Sequence, residues 1–375
     1  MPQRAIPAVY MRGGTSKGVF LREESLPPAG RPRDELLMEI MGSPDPMQID
    51  GMGGTFSSTS KVMMISPSTA PDCDIDYRFA QVAIEQPSVD YRGNCGNLTS
   101  AVGPYALDEG MLGKVEGPLA TVRLRNLNTG IRVIARFPVR DGRAEFEGDH
   151  WIDGVPRPGA RIENQYLDPA GAAMLPTRAA RDAITFEGRT IEVSFVDVTN
   201  PVAFVRAADV GLTGTELPAA LNADTTLLAR LERLRADCAV RLGFVARPED
   251  AALKAAALPF LSLVAAPASY TTVSGETLPA EAMDLCARTL SVGRIHHACQ
   301  ITTLMCTAAA ARLPGSVVHE VVRGGDSPLM RLGHAKGTAI AEVTTEGDGA
   351  SRRIASLKVT RTARRLMAGE IYCRA

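Results

Sequence analysis

Two segments constrain this chain more than any others: GNCGNLTSAVGPYALDE (93–109) and HHACQITTLMCTAAAAR (296–312) each read as an apolar helix opened by a short polar run. In the first, Leu98, Ala101, Val102, Tyr105 and Ala106 recur at helical spacing from about Asn97 to Glu109, and Pro104 is expected to kink it. In the second, small residues run from Cys299 to Arg312 and stop at Pro314-Gly315. Strand-like segments flank both. The pattern predicts an α+β chain of two pseudo-duplicated β-barrel-like domains, each around a central helix. Helix N-termini carry unpaired N–H groups and partial positive charge, so two of them facing across a cleft would bind a carboxylate.

The flanking segments fill in this plan. AVYMRGG reads as a strand ending at Gly13-Gly14, Asp34 to Met41 as a short amphipathic helix, and SKVMMI and DIDYRFAQVAIE as strands. TVRLRN-LNTG-IRVIARF is the clearest hairpin, with Val122 and Leu124 alternating with arginines before the turn and Ile131, Val133, Ala135 and Phe137 alternating after it. Residues 156–182 have no clear period, and the domain crossing is placed near their end. The second half offers strands TIEVSFVDV, VAFVRAADV, SVVHEVV, TAIAEVTTE and RIASLKVTRTA, with surface helices over Ala219 to Leu234 and Ala280 to Leu290. The expected domains are 1–184, with 366–375 open to returning to it, and 185–365.

With 45% hydrophobic and 22% charged residues, the 375-residue chain can pack cores, which excludes wholesale disorder. A formal net charge of -1 argues against nucleic acid as a partner. The apolar stretch from Ala255 to Ala266 is too short to cross a membrane, and the N-terminus lacks the apolar core of a signal peptide. Seven scattered cysteines make no disulfide framework. The reading is a cytoplasmic protein acting on a small-molecule carboxylate, with no nucleic-acid or membrane partner, and a homodimer is left open.

Four regions could carry chemistry. MRGGTSKG (11–18) sets Arg12, Thr15, Ser16 and Lys17 among glycines whose amides could cradle an anion; a tight turn with an exposed lysine is the competing reading, and the order Ser-Lys-Gly does not fit a nucleotide loop. Lys61 opens an apolar strand after SSTS, where burial would lower its pKa and make the neutral amine a usable base, or it snorkels from a strand end. Cys95 lies between Asn-Gly and Gly-Asn at the mouth of the first helix, a position that acidifies thiols; the competing reading is a buried small hydrophobe, which would not need the flanking glycines. RGGDSP (323–328) and RLGHAKG (331–337) are either a second anion site or ordinary turns. Cys299 and Cys306 are expected on one helix face as packing residues. His296 and His297 are expected to point apart and to hold no metal.

Taken together, MRGGTSKG, MGSPDPMQIDGMGG, SSTSKV, NCGN before a helix, NP in VTNPVAFVRAADVGLTGTE, HHA before an alanine-rich helix, and TRTARRLMAG resemble the PrpF-like 2-methylaconitate isomerase family almost end to end. That group includes methylitaconate isomerase and 4-oxalomesaconate tautomerase. The resemblance implies a diaminopimelate epimerase-like fold with the site in the interdomain cleft, and neither cofactor nor metal. It implies Lys61 as acid/base, a cysteine at Cys95, and Ser16 with its surrounding turn binding the substrate carboxylate; with the regions above, the expected substrate-binding set is Arg12, Thr15, Ser16, Lys17, Asn94, Gly96, Asn97, His297, Gly324, Gly325, His334 and Lys336. Family members commonly carry a GHPSG-like turn where this chain has Gly333-His334-Ala335-Lys336-Gly337, a change expected to alter which carboxylate is accepted.

The chemistry implied is a proton shift in an unsaturated di- or tricarboxylate, giving an allylic double-bond shift or a cis-trans exchange. Two other readings stay open: a non-catalytic carboxylate-binding protein of the same fold, and a two-thiol epimerase in which Cys299 would be the second thiol.

Overall fold

The computed structural model describes residues 3–169, 174–347 and 353–374. The chain divides into two compact units, Met1–Leu167 with Thr360–Ala375, and Asp168–Val359. The division falls earlier than 184/185, because the segment 182–186 pairs with 189–193 and Asp182 is bound by Arg241, both in the second unit. Residues 170–173 of the featureless stretch lie outside the described residues.

In the first unit β1 (Arg4–Gly13) pairs antiparallel with β2 (Ser16–Arg22), β2 parallel with β3 (Lys61–Pro67), and β3 antiparallel with β4 (Ile75–Val82). β4 then pairs parallel with β5 (Leu119–Asn126), β5 antiparallel with β6 (Arg132–Arg140), and β6 antiparallel with β7 (Ile162–Leu167). The C-terminal strand Ala363–Cys373 returns to lie antiparallel along β1.

Helix α1 (Arg31–Met41) covers one face of this sheet, burying Leu37, Ile40 and Met41 against Val19, Leu21, Val62 and Met64. Helix α2 (Gly96–Asp108) packs on the other face, buried from Gly96 to Ala106 and continuous through Pro104. With helices on both sides, β2 and β3 are buried on both faces, which is why they read as unbroken apolar runs rather than alternating ones. The β5–β6 hairpin alternates as expected, and the Asn126 side chain accepts from the Asn128 and Thr129 N–H groups to close its turn.

The second unit repeats the order. After β8 (Asp182–Phe186), the strands β9 (Arg189–Asp197), β10 (Pro201–Arg206), β11 (Phe260–Ala265), β12 (Leu285–Ser291), β13 (Leu329–His334), β14 (Gly337–Glu346) and β15 (Arg353–Arg361) pair in succession. Their senses run antiparallel, parallel, antiparallel, parallel, antiparallel, antiparallel, the same succession as β1 to β7. Helix α3 (Thr225–Arg241) takes the place of α1, packing Leu227, Leu231 and Leu234 over Phe195, Leu261 and Leu263. Helix α4 (Ile301–Ala310), every residue buried, takes the place of α2.

Three expectations are corrected. Ala280 to Leu290 is not a surface helix: a single turn at 280–282 leads into β12, whose residues are all buried between β11 and β13, so no amphipathic period identifies it. SVVHEVV is a short helix, α5 (Val317–Val321), because the Ser316 side chain accepts from the His319 N–H and caps it, overriding the β propensity of its valines. Cys299 precedes α4 and does not share a helical face with Cys306. Among the described residues no helix is long and apolar enough to cross a membrane.

Candidate active site

Lys61 opens β3 and its side chain shares the α2-facing side with Met63, since Val62 and Met64 pack under α1. It is 9% exposed, its Nζ donates to Gln81 Oε1 at 2.5 Å, and it lies 4.8 Å above the Phe79 ring. Gln81 is the cross-strand partner of Lys61 on β4. Burial pushes the Lys61 pKa down from its ordinary value, and the charge of Cys95 pulls it partly back. A buried amine with a neutral amide for a partner is biased toward the unprotonated form, as a general base requires.

Cys95 is the N-cap residue of α2 and is buried, with Asn94, Gly96 and Asn97 around it. Its side chain makes no capping bond to the first turn, and its carbonyl accepts from both the N–H and the hydroxyl of Thr99. The Thr99 hydroxyl also lies 3.3 Å from Asn94 Oδ1, to which the Tyr77 hydroxyl donates at 3.4 Å. Burial pushes Tyr77 up to about 12, so it stays a neutral donor beneath the helix mouth.

The MRGGTSKG segment is a hairpin with Gly14 and Thr15 at its tip, pairing Gly13 with Ser16 and Arg12 with Lys17. Its tip docks on α2: the Thr15 N–H donates to Asn97 Oδ1 at 3.4 Å, and Asn97 Nδ2 donates to Thr15 Oγ1 at 3.2 Å. A Cβ on Gly13 would lie 2.5 Å from the Asn97 carbonyl oxygen, and Gly14 has φ +51°, so the glycines are there to let two backbones meet. Ser16 is buried on the α2 side. Arg12 and Lys17 project from the opposite face, so the register separates residues that the motif groups together.

The Arg12 guanidinium donates to the Gly14 carbonyl and to the carbonyl and hydroxyl of Thr362, and burial, helped by Arg364, lowers its pKa to about 10. It clamps the tip to Thr362, the residue just before the C-terminal strand. The Lys17 ammonium sits 5.7 Å over the Tyr10 ring, and its N–H donates to the Ser58 carbonyl.

In the second unit the turn at Ala335 and Lys336 joins β13 to β14, and His334 Nδ1 accepts from the Lys336 N–H at 3.1 Å. The Tyr270 hydroxyl donates to the His334 carbonyl at 2.6 Å. His297, before α4, feels the Lys336 charge; burial first and that charge second lower its pKa to about 4, and burial lowers Lys336 as well. The His296 and His297 rings do not point apart. They stack at 4.9 Å and 10°, because His296 Nδ1 accepts from the Ala298 N–H and turns the chain back.

Cys299 donates to the Gln300 carbonyl at the mouth of α4. Gly324 and Gly325 lie at the far end of β13 from His334 and Lys336, in an exposed turn whose Arg323 is bound by the carbonyls of Ala280 and Met283. Among the described residues no group of three or more His, Cys, Asp or Glu is arranged to hold a metal.

The sequence reading missed Gln81, Phe79, Tyr77 and Thr99. One signal was available: on the α2-facing side of β4 the residues run Tyr77, Phe79, Gln81, an apolar row ending in an amide opposite the lysine. The two units differ at this position, since β3 opens on Lys61 and the topologically equivalent β11 on Phe260.

The PrpF protein family model matches residues 3–374. The chain is 43% identical to the 3-methylitaconate isomerase of Eubacterium barkeri, over 99% of this chain and 97% of that one. It is 39% identical to the 2-methyl-aconitate isomerase of Shewanella oneidensis, over 98% and 96%. It is 37% identical to the 4-oxalomesaconate tautomerase of Pseudomonas putida, over 92% and 91%. The crystal structure of methylitaconate-delta-isomerase superposes with a TM-score of 0.77 at 42% identity, covering 100% of this chain and 97% of that one. A hydroxyproline epimerase from Agrobacterium vitis shares the fold at a TM-score of 0.56 and 13% identity, over 99% and 94%. With a matching model nearly end to end and relatives above 30% identity over more than nine-tenths of their length, the chain belongs to the PrpF family and is an enzyme of the isomerase class.

Proposed function

We propose that the protein isomerises an unsaturated di- or tricarboxylate of the methylitaconate, methylaconitate or oxalomesaconate type by moving a proton within its allylic system. The neutral Lys61 amine takes a proton from the carbon beside the conjugated C=C–C=O unit, and the C–H bonding pair enters a dienolate. Returning a proton at the γ-carbon shifts the double bond. Returning it at the original carbon after bond rotation exchanges cis and trans. The dienolate is the costly species, and the N-terminal end of α2, which opens at Gly96 directly after Cys95, supplies partial positive charge to stabilise it. Cys95 carries the second proton or assists at the helix mouth.

The observation that carries this reading is a buried lysine with a neutral partner, coupled in charge to a thiol at a helix N-terminus. Incubating the purified protein with a panel of unsaturated tricarboxylates in D2O and following exchange and isomer ratio by proton NMR tests it. Absence of deuterium incorporation into every member would overturn it. The same assay after dialysis against a chelator tests the expectation that no metal or cofactor takes part.

The two-thiol reading draws on one feature, Cys299 at the mouth of α4, one residue before its Gln300 N-cap, where α2 has Cys95 as the N-cap itself. It requires that Cys299→Ala abolish turnover.

A further inference from the structure

We infer that Gln81 is a positioning residue for Lys61, fixing the direction of its amine and setting the pH at which it becomes a base. The inference rests on the reading of Lys61 as the base.

The orientation of the Gln81 amide is determined by its surroundings. Its Nε2 donates to the Ser57 carbonyl at 3.2 Å and to the Ser60 carbonyl at 2.9 Å. A flipped amide would face two carbonyls with its oxygen and the Lys61 amine with its own donors, so Oε1 must point to Nζ. The loop is itself held: Gln48 Nε2 donates to Ser60 Oγ at 2.7 Å, and Ser60 Oγ donates to the Val82 carbonyl. Gln81 is therefore a rigid acceptor, 7% exposed, aligned in register with Lys61. One Lys61 N–H is committed to it in either protonation state, which confines the lone pair of the neutral amine to the remaining directions.

The chemical identity of this acceptor matters as much as its position. A carboxylate here would form a buried ion pair and keep Lys61 charged; an apolar side chain would leave the amine untethered. Few other charges compete. From α2 the titratable group facing Lys61 is Cys95, and Tyr77 lies further along the same side of β4. β2 presents Ser16 and Gly18 on this side, with Lys17 turned away. Glu23, Arg33 and Arg78 form their own ion-pair group on the α1 side of the sheet.

The test is a pair of substitutions with opposite expected signs. Gln81→Glu should move the acid limb of the kcat/KM profile up by about one pH unit or more. Gln81→Met should move it down and lower kcat by about a hundredfold, the scale of a misplaced reacting group, with KM changed far less. A role confined to tying down the 57–60 loop would lower both rates and move neither limb, and that result would overturn the proposal. If either variant folds poorly, a second readout decides: the chain has six lysines, so the 13Cε resonance of Lys61, assigned by its loss in Lys61→Met, can be titrated directly in whichever variant folds. An unchanged Lys61 titration in Gln81→Glu or Gln81→Met overturns the proposal. Full activity in Lys61→Met would instead remove the base reading, a distinct failure.

Discussion

Thr15 and Asn97 hold each other reciprocally: the backbone N–H of Thr15 donates to the Asn97 side-chain oxygen, and the Asn97 side-chain nitrogen donates to the Thr15 hydroxyl. The β1–β2 tip is thereby fixed to the first turn of α2, next to Cys95. Gly14 makes this contact sterically permissible, since a Cβ there would lie 2.1 Å from Asn97 Oδ1 at a φ of +51°. Gly14→Ala should cost about 1–3 kcal/mol through backbone strain, read as a lower urea midpoint. It should also raise KM, because the tip can no longer seat against the helix mouth. An unchanged midpoint and KM would show that the tip has room to rearrange.

Lys61→Met should lower turnover by about two to four orders of magnitude, the scale of a general base. The same substitution should stabilise the fold. Burial holds the folded pKa of Lys61 below its unfolded value of 10.5. Below the folded pKa both states carry the proton and the folded state bears the whole desolvation penalty. Between the two values the unfolded chain keeps a proton that the folded one has shed, so stability rises with pH. The Tm gain of Lys61→Met should therefore be largest below the folded pKa and shrink as pH rises from there toward 10.5. A gain independent of pH would show that Lys61 is not desolvated.

The duplication was legible from two apolar helices because a helix buried on every side leaves a compositional mark, as Gly96–Ala106 and Ile301–Ala310 do. Lys61, Cys95 and Asn97 stood out because glycines and small polar residues frame them. Gln81 did not, because its role comes from cross-strand register, which one sequence does not display. Register likewise set Arg12 and Lys17 on the opposite face from Ser16, although the three fall within six residues of one motif. The missed strand β12 lies between two others with all its side chains buried, so neither a period of two nor a helical period marks it.

The two thiols should respond differently. Cys95→Ala should lower kcat, and Cys95→Ser should retain more activity if the thiol only assists the dienolate than if it carries the second proton. Cys299→Ala should leave the rate within about a factor of three, well short of the loss expected on removing a proton carrier. Steady-state kinetics of the three variants on one substrate decides between one thiol and two.

His297 should contribute to acid sensitivity. Its folded pKa of about 4 lies below the ordinary 6.5, so between those values the unfolded chain binds a proton that the folded chain refuses. Stability falls as pH drops through that window. His297→Asn should be more stable relative to the parent at pH 4.5 than at pH 7, as judged by thermal melts at the two pH values. An equal difference at both would assign the acid sensitivity elsewhere.

Lys336 should tune which carboxylate this chain prefers. Its ammonium lies close enough to His297 to depress that imidazole, and its own pKa is lowered by burial, so the cation is not simply a solvated surface charge. A cation at that corner of the second unit favours a substrate with an additional carboxylate or an oxo-acid arm. Losing one charge-assisted hydrogen bond costs about 1.5–3 kcal/mol, roughly ten- to a hundredfold in affinity. Lys336→Ser should therefore raise KM for the preferred substrate far more than it lowers kcat, and improve the relative rate on less charged members of the panel. His297 should respond in parallel: with the neighbouring charge gone its pKa rises, yet stays below 6.5 because burial is the larger cause. The chain has five histidines, so imidazole NMR can follow that shift without any turnover. A shifted His297 titration with an unchanged substrate ranking would place Lys336 next to the imidazole but away from the substrate, and specificity would then have to be sought at the Ser16 and Asn97 end of the first unit.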